Sequence, residues 1–105
     1  MQIADQTGNT IVLPGPARRI VSLVPSQTEL LYDLGLEQEV VGITRFCIYP
    51  DHWYRNKTRV GGTKDFDTDR IRALKPDLIL ANKEENTQKG IQELMKEFPV
   101  WVSDI

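Results

Sequence analysis

The sequence of 105 residues predicts an α/β fold with a small N-terminal β-hairpin. We expect a three-layer α/β/α arrangement around a central, mostly parallel four-stranded sheet. Short apolar runs rich in β-branched residues alternate with segments of helical periodicity, in units of roughly 25 residues. Most of the predicted helices are bounded by a capping residue, a glycine or a proline. The length fits one domain over residues 1–105, since domains commonly contain about 100–150 residues.

The hairpin and the first βα unit account for the N-terminal third of the chain. Two short strands flank turn-forming residues, which predicts a hairpin at about residues 2–13. Residues 19–24 form an apolar run typical of a buried parallel strand. Ser26 and Glu29 have the spacing of a capping box, so we expect Ser26 to cap the first helix, which follows it immediately. Gly35 is placed to end that helix in the left-handed conformation.

Three further strands are predicted downstream, which extends the βα units over about residues 19–105. They lie at residues 40–44, 77–81 and 99–102, each rich in aliphatic side chains. Residues 45–54 fit neither a helical nor a strand period, and we interpret them as a loop with up to one helical turn. Alternating strands and helices imply right-handed crossovers, so the strands should run parallel.

The two remaining helices are predicted from their boundaries. Asp67 or Thr68 caps a short helix that Pro76 ends, and Asn86 or Thr87 caps the last one. The apolar stripe of the last helix contains Ile91, Leu94, Met95 and Phe98.

Composition excludes several classes of function. With 13 Lys+Arg against 15 Asp+Glu, the chain has no basic stripe of the kind that nucleic-acid binding requires. A single cysteine, Cys47, cannot form an intrachain disulfide. The apolar runs fall far short of the roughly 20 residues that span a bilayer. The first residues lack the features of a secretion signal, so we expect that the protein is not exported or that a signal has been removed.

Aromatic residues concentrate where a ligand would bind. In parallel α/β sheets, ligands bind beyond the carboxyl ends of the strands. The segment after the second predicted strand carries Phe46, Tyr49, Trp53 and Tyr54, half of the eight aromatic residues of the chain. One interpretation is an aromatic surface that covers a flat, apolar ligand. The alternative is a loop that packs onto its own domain.

Other polar candidates give weaker indications of chemistry. Two ligands, Cys47 and His52, are too few to complete a tetrahedral metal site. The alternatives are that Cys47 is a partly buried small apolar residue and that His52 is an ordinary surface histidine. Ser26 lacks the flanking glycines of a nucleophile elbow, which favours a capping role. Lys83 is placed to meet an anionic ligand group, or else belongs to a solvated turn before the last helix.

The order of motifs resembles the class III substrate-binding proteins of ABC transporters, of the helical-backbone metal receptor type. This family includes the vitamin B12 and ferric-siderophore receptors. The resemblance covers about residue 9 to the end of the chain. Its motifs are the residues at 19–26 with 28–31 and 34–35, those at 40–44 with 49–50, those at 59–62, and those at 69–71 with 74–79.

The resemblance implies a bilobed receptor that binds a metal chelate between two α/β lobes, of which this chain is the N-terminal lobe only. The position of Phe46 is typically an aromatic that contacts the corrin of cobalamin. A second aromatic position is occupied here by Thr63 and Lys64. An acidic residue presented to the permease corresponds to Asp69. The second lobe would lie beyond Ile105.

We therefore expect a substrate-binding component of an ABC importer for cobalamin, a ferric siderophore or heme, outside the cytoplasm and without catalysis or a resident cofactor. Its expected partners are the chelate and the transporter permease. The alternative is a cytoplasmic sensor or enzyme domain on the same scaffold, which would depend on His52 or Ser26. The expected ligand-binding residues are Ser26, Phe46, Cys47, Tyr49, Trp53, Thr63, Lys64 and Lys83.

Overall fold

The computed structural model describes residues 2–104, and the strands of this part of the chain form two sheets. The strands are β1 (Gln2–Ala4), β2 (Thr10–Val12), β3 (Ile20–Ser22), β4 (Val40–Ile43), β5 (Thr58–Arg59), β6 (Leu78–Asn82) and β7 (Val100–Ser103). The helices are α1 (Pro25–Asp33), α2 (Asp51–Asn56), α3 (Thr68–Leu74) and α4 (Gln88–Met95). Strands β1 and β2 form the antiparallel hairpin, and the others form a parallel sheet in the order β5-β4-β3-β6-β7.

The α/β prediction is confirmed, but the sheet has five strands where four were predicted. The additional strand is β5, which contains only Thr58 and Arg59 and pairs with β4. Both residues are exposed at the sheet edge, so neither an apolar run nor an alternating pattern marks them. Helix α2 is also longer than the single turn expected within residues 45–54.

The helix boundaries follow the predicted caps except at α1. Asp67 caps α3 by accepting hydrogen bonds from two backbone N–H groups, and Thr87 caps α4 by accepting one from Gly90. Gly35 has a φ of 77°, as a left-handed helix end requires. The capping box at Ser26 was wrong: α1 begins at Pro25, so Ser26 lies within its first turn, and the helix has no side-chain cap. Proline suits the first helical position because its fixed φ is already helical.

Helices cover both faces of the parallel sheet and create two apolar clusters. On one face α3 and α4 contribute Ile71, Ile91 and Leu94 to a cluster with the sheet. On the other face α1 and α2 contribute Leu31 and Trp53 to a second cluster. These contacts confirm three layers. None of the helices within residues 2–104 is long and apolar enough to cross a bilayer.

The hairpin packs against β7, the strand at one edge of the parallel sheet. The backbone N–H of Gln6 donates to the carbonyl of Val102 at 3.0 Å, and the Trp101 indole N–H donates to the carbonyl of Ala4 at 3.2 Å. Asp5 accepts a hydrogen bond from the Val102 N–H at 3.3 Å. The hairpin therefore covers part of an edge that would otherwise expose backbone hydrogen-bonding groups.

Candidate functional site

The carboxyl ends of the parallel strands meet at one edge of the sheet, which we call the carboxyl edge. It includes the start of α1 and three loops: the aromatic loop (residues 44–50), the glycine loop (residues 60–66) and the acidic loop (residues 83–87). Loops in this position surround the usual ligand site of parallel α/β folds.

The aromatic loop presents an exposed apolar surface. The side chains of Phe46, Ile48 and Tyr49 are 50%, 54% and 63% exposed. The guanidinium of Arg45 lies 5.0 Å from the centre of the Phe46 ring, a cation–π distance. Several large apolar side chains exposed within one short loop are typical of a binding site. Sequence reasoning missed Arg45 and Ile48, because a charged and an aliphatic side chain in a loop have no distinguishing pattern.

Cys47 anchors the aromatic loop from below. Its thiol is buried, and its Sγ accepts a hydrogen bond from the Thr28 hydroxyl at 3.1 Å. The Thr44 hydroxyl lies 3.2 Å from the same Sγ. The loop thus has a fixed interior side beneath its exposed aromatic side.

Burial separates the predicted ligand-binding residues of this region into two groups. Phe46 and Tyr49 are exposed at the carboxyl edge, as predicted, but Cys47 and Trp53 are each only 1% exposed. Trp53 belongs to the apolar cluster beneath α1, where Tyr32 packs edge-on against it at 5.5 Å. A ligand at the surface of this chain would not reach these two side chains, so we correct their assignment to interior packing.

The glycine loop is held close to the aromatic loop. The backbone N–H of Arg45 donates to the carbonyl of Gly61 at 2.8 Å, and the Arg45 guanidinium lies 3.5 Å from the Asp65 carboxylate. Gly61 has a φ of 103°, a conformation that glycine adopts without steric cost. Thr63 is half-buried, whereas Lys64 is exposed. Both predicted residues therefore lie beside the aromatic loop.

The acidic loop joins the glycine loop at the same edge. The ammonium of Lys64 donates to the backbone carbonyl of Glu84 at 3.1 Å. Lys83 is 57% exposed, and its ammonium lies 3.5 Å from the Asp104 carboxylate. Ser26 is exposed in the first turn of α1. The structure thus places Ser26, Lys64 and Lys83 on loops or helix starts of one edge.

A groove of about 530 Å³ lies next to this edge, between the hairpin turn and α4. Thr7, Lys83 and Met95 are among its lining residues, and it contains none of the exposed apolar side chains of the aromatic loop. The side chains of Phe46, Ile48 and Tyr49 are each at least half exposed, so the apolar surface of the aromatic loop is open. A ligand resting on it would keep one side uncovered by the described residues.

Asp69 lies in the first turn of α3, directly after the glycine loop. Its side chain is 91% exposed and contacts Arg72 at 2.8 Å. Arg72 also forms two hydrogen bonds, of 2.7 and 2.8 Å, with the two carboxylate oxygens of Glu97. Hydrogen bonding from Arg72 lowers the pKa of the Glu97 carboxyl, which keeps this surface pair charged. The predicted docking residue therefore presents an accessible carboxylate.

His52 takes part in a separate surface cluster with Glu37. Its Nε2 lies 3.0 Å from a Glu37 oxygen, and the Lys57 ammonium lies 3.4 Å from the other oxygen. The nearby indole of Trp53, then His52 and the ammonium of Lys57, lower the pKa of the Glu37 carboxyl. His52 is half-exposed, which agrees with the alternative of an ordinary surface histidine. Within residues 2–104, no group of three or more His, Cys, Asp or Glu residues is arranged to hold a metal ion.

Comparison with known proteins identifies the family. The sequence profile of the family described as "Periplasmic binding protein" matches residues 20–104. The chain belongs to this family. A vitamin B12-binding protein of Yersinia pestis (strain Pestoides F) is 36% identical over 96 residues, which cover 90% of this chain. The match spans 34% of that relative's length.

Solved structures of other proteins share the fold. The periplasmic vitamin B12 binding protein of Vibrio cholerae aligns with a TM-score of 0.77 and 33% identity, over 87% of this chain and 36% of that chain. A Staphylococcus aureus protein complexed with staphyloferrin B aligns with a TM-score of 0.84 and 26% identity, over 100% of this chain and 37% of that chain. This periplasmic binding protein chain therefore corresponds to about a third of each of these longer proteins.

Proposed function

We propose that this chain forms one lobe of a two-lobed receptor that delivers a metal chelate to an ABC importer. The observation that carries the proposal is the exposed apolar surface of Phe46, Ile48 and Tyr49 at the carboxyl edge. The resemblance to two-lobed substrate-binding proteins implies a second lobe, which would close over such a surface. The open geometry supports this arrangement, since one lobe alone would leave a bound ligand half in water.

The side chains of the carboxyl edge suit a large ligand that is mostly apolar. Each Å² of apolar surface that a ligand covers contributes about 25 cal/mol, before the costs of association are subtracted. Phe46 and Tyr49 would supply most of this area through their rings. Ser26, Thr63, Lys64 and Lys83 would supply polar contacts that orient the ligand.

We propose a chelate of the class that includes cobalamin, ferric siderophores and heme. Two similar proteins are described as vitamin B12-binding, and one was solved with staphyloferrin B. The proposal assigns to the chain binding without catalysis, and the chelate is cargo instead of a resident cofactor. The resemblance implies an aromatic residue at the position of Thr63. Because threonine is small and polar, it favours a ligand contact that differs from the one an aromatic side chain makes with cobalamin.

Asp69 is our candidate for contact with the importer permease. Its carboxylate is exposed at the start of α3, where an arginine of a partner can reach it. We also propose that the receptor works outside the cytoplasm, because the family is one of periplasmic binding proteins.

A cytoplasmic sensor or enzyme is not favoured. That alternative depends on His52 or Ser26 as reactive groups. The described contacts of His52 are instead with Glu37 and Tyr32, and Ser26 lies in the first turn of α1 at the carboxyl edge. The family and its similar structures are binding proteins.

The test is ligand titration of a receptor in which this lobe is joined to a second lobe. Cyanocobalamin, ferric staphyloferrin B and hemin are titrated separately, with tryptophan fluorescence and calorimetry as readouts. We expect saturable binding of at least one chelate, weakened at least about tenfold by Phe46→Ala through the loss of about 1.4 kcal/mol of contact. Leu34→Ala is the control, since Leu34 is also an exposed apolar residue, 63% accessible, but lies at the end of α1. Absence of micromolar binding to all three chelates would contradict the proposal.

A further inference from the structure

Asn86 occupies a buried position beneath the carboxyl edge. It is only 2% exposed, and its side-chain amide makes hydrogen bonds to three segments of the chain. Its Nδ2 donates to the carbonyl of Thr63 at 2.6 Å and to the carbonyl of Leu23 at 3.2 Å. Its Oδ1 accepts a hydrogen bond from the backbone N–H of Asn82 at 2.8 Å. One side chain of the acidic loop therefore joins the glycine loop, the residue that follows β3 and the last residue of β6.

Only an amide fits this set of partners. Two backbone carbonyls require two donated hydrogens, and one backbone N–H requires an acceptor, which together match the side chain of asparagine. An aspartate would place a carboxylate against both carbonyl oxygens, and an alanine would remove both of the donated hydrogen bonds. Asn86 is not needed as a helix cap, because Thr87 caps α4.

The bond to Thr63 supports the middle of the glycine loop. The two ends of this loop are held together by a backbone hydrogen bond of 2.6 Å from the N–H of Asp67 to the carbonyl of Val60, and Gly61 accepts another from Arg45 at 2.8 Å. Between these ends, the amide of Asn86 reaches the loop from inside the fold. The positions of Thr63 and Lys64 relative to the sheet therefore depend on Asn86.

We propose that Asn86 is a positioning residue that holds the glycine loop where the chelate contacts the carboxyl edge. The link between this positioning role and ligand binding rests on the function proposed above. Asn86 does not touch the ligand; it orders a loop that carries two of the contact residues. Order in the free receptor lowers the entropy cost of binding.

Hydrogen exchange of the two-lobed receptor without ligand tests the positioning role. In Asn86→Asp we expect the backbone amides of residues 61–66 to exchange at least about tenfold faster, while amides of β4 and β6 change less than about threefold. Asn56→Asp adds the same charge at an exposed asparagine of α2 and should leave the glycine loop unchanged. Equal acceleration of loop and strands, or no acceleration, overturns the proposal. If Asn86→Asp does not fold, Asn86→Ala is judged by the same criteria.

Binding of the same variants gives the second readout. For whichever of cyanocobalamin, ferric staphyloferrin B or hemin the unaltered receptor binds, Asn86→Asp should weaken affinity at least about tenfold. Unchanged affinity in a variant whose loop exchanges faster overturns the link to binding. Failure of the unaltered receptor to bind all three chelates counts against the proposed function, and the exchange experiment then still decides whether Asn86 positions the loop.

Discussion

The two neighbouring glycines of the glycine loop should respond very differently to the same substitution. Gly61 has a φ of 103°, and a Cβ there would lie 3.1 Å from the carbonyl oxygen of Asp65 and 3.2 Å from the Cα of Phe66. Both contacts are with backbone, which cannot move aside. Gly62 has no such φ, and the atoms that its Cβ would meet belong to the flexible side chains of Asp65 and Arg45.

These environments give opposite expectations for alanine. Gly61→Ala carries a strained backbone that costs roughly 1–3 kcal/mol, in addition to the crowding of Asp65 and Phe66. Gly62→Ala displaces the Asp65 carboxylate, which is 68% exposed and held by Arg45 at 3.5 Å. Losing this exposed ion pair lowers the free energy of unfolding only slightly, and alanine raises it by about 0.4–1 kcal/mol because it restricts the unfolded chain. We expect Gly62→Ala to stay within about 0.5 kcal/mol of the unaltered protein.

Equilibrium urea unfolding followed by circular dichroism measures both free energies of unfolding. Gly61→Ala should unfold at a clearly lower urea concentration than Gly62→Ala, with equal slopes of free energy against urea. If Gly62→Ala is as destabilising as Gly61→Ala, the side-chain flexibility assigned to Asp65 is wrong, and the glycine loop is held more tightly than its contacts indicate.

Three other predictions concern the interior, the pH dependence and the docking residue. Trp53→Ala should lower the free energy of unfolding by about 3–5 kcal/mol because the side chain is buried, whereas Phe46→Ala should change it by about 1 kcal/mol or less in urea unfolding. The pKa of Glu37 is lowered in the folded state, so its ionised carboxylate stabilises the fold. This stabilisation is present above the ordinary pKa of 4.5 and is lost as the pH falls below that value. Glu37→Gln should therefore show a smaller loss of stability in acid, and an unchanged acid profile would contradict this. Asp69→Asn should reduce chelate transport by vesicles that contain the importer, without altering chelate binding; Asp51→Asn, another exposed carboxylate paired with an arginine, is the control.

The sequence predicts strands well where the sheet is covered on both faces. Strands β3, β4, β6 and β7 are apolar runs because helices pack on either side of them. Strand β5 could not be predicted in this way, since both of its residues are exposed. The first turn of α1 shows a different limit: the spacing of Ser26 and Glu29 predicted a side-chain cap, whereas α1 begins at Pro25 with no side-chain cap.

The aromatic loop and helix α2 show why site residues are harder to predict than strands. Within residues 44–54, no periodic pattern states which side chains point inward. Cys47 and Trp53 turned out to be interior, while Phe46 and Tyr49 between and beside them are exposed. Tertiary contacts decide the orientation: the hydroxyl of Thr28 and the ring of Tyr32, both on α1, meet the buried pair. Those partners are about 20 residues away in the sequence, beyond the range of local patterns.

The exposed apolar surface and the hydrogen bonds between the loops favour ligand recognition by a carboxyl edge that is already ordered before the ligand binds. Each of the three loops is bonded to another before any ligand binds: Arg45 to Gly61, Asn86 to Thr63, and Lys64 to the backbone of Glu84. Ordering one flexible side chain on binding costs about 0.5–1.5 kcal/mol, so a loop network already fixed avoids several such costs. The hydrogen bond from Lys64 to Glu84 is the exception, because the Lys64 ammonium must leave the backbone carbonyl of Glu84 in order to bind an anionic group of the ligand. Selectivity for charged chelates should therefore depend on Lys64 more than on the rigid aromatic surface.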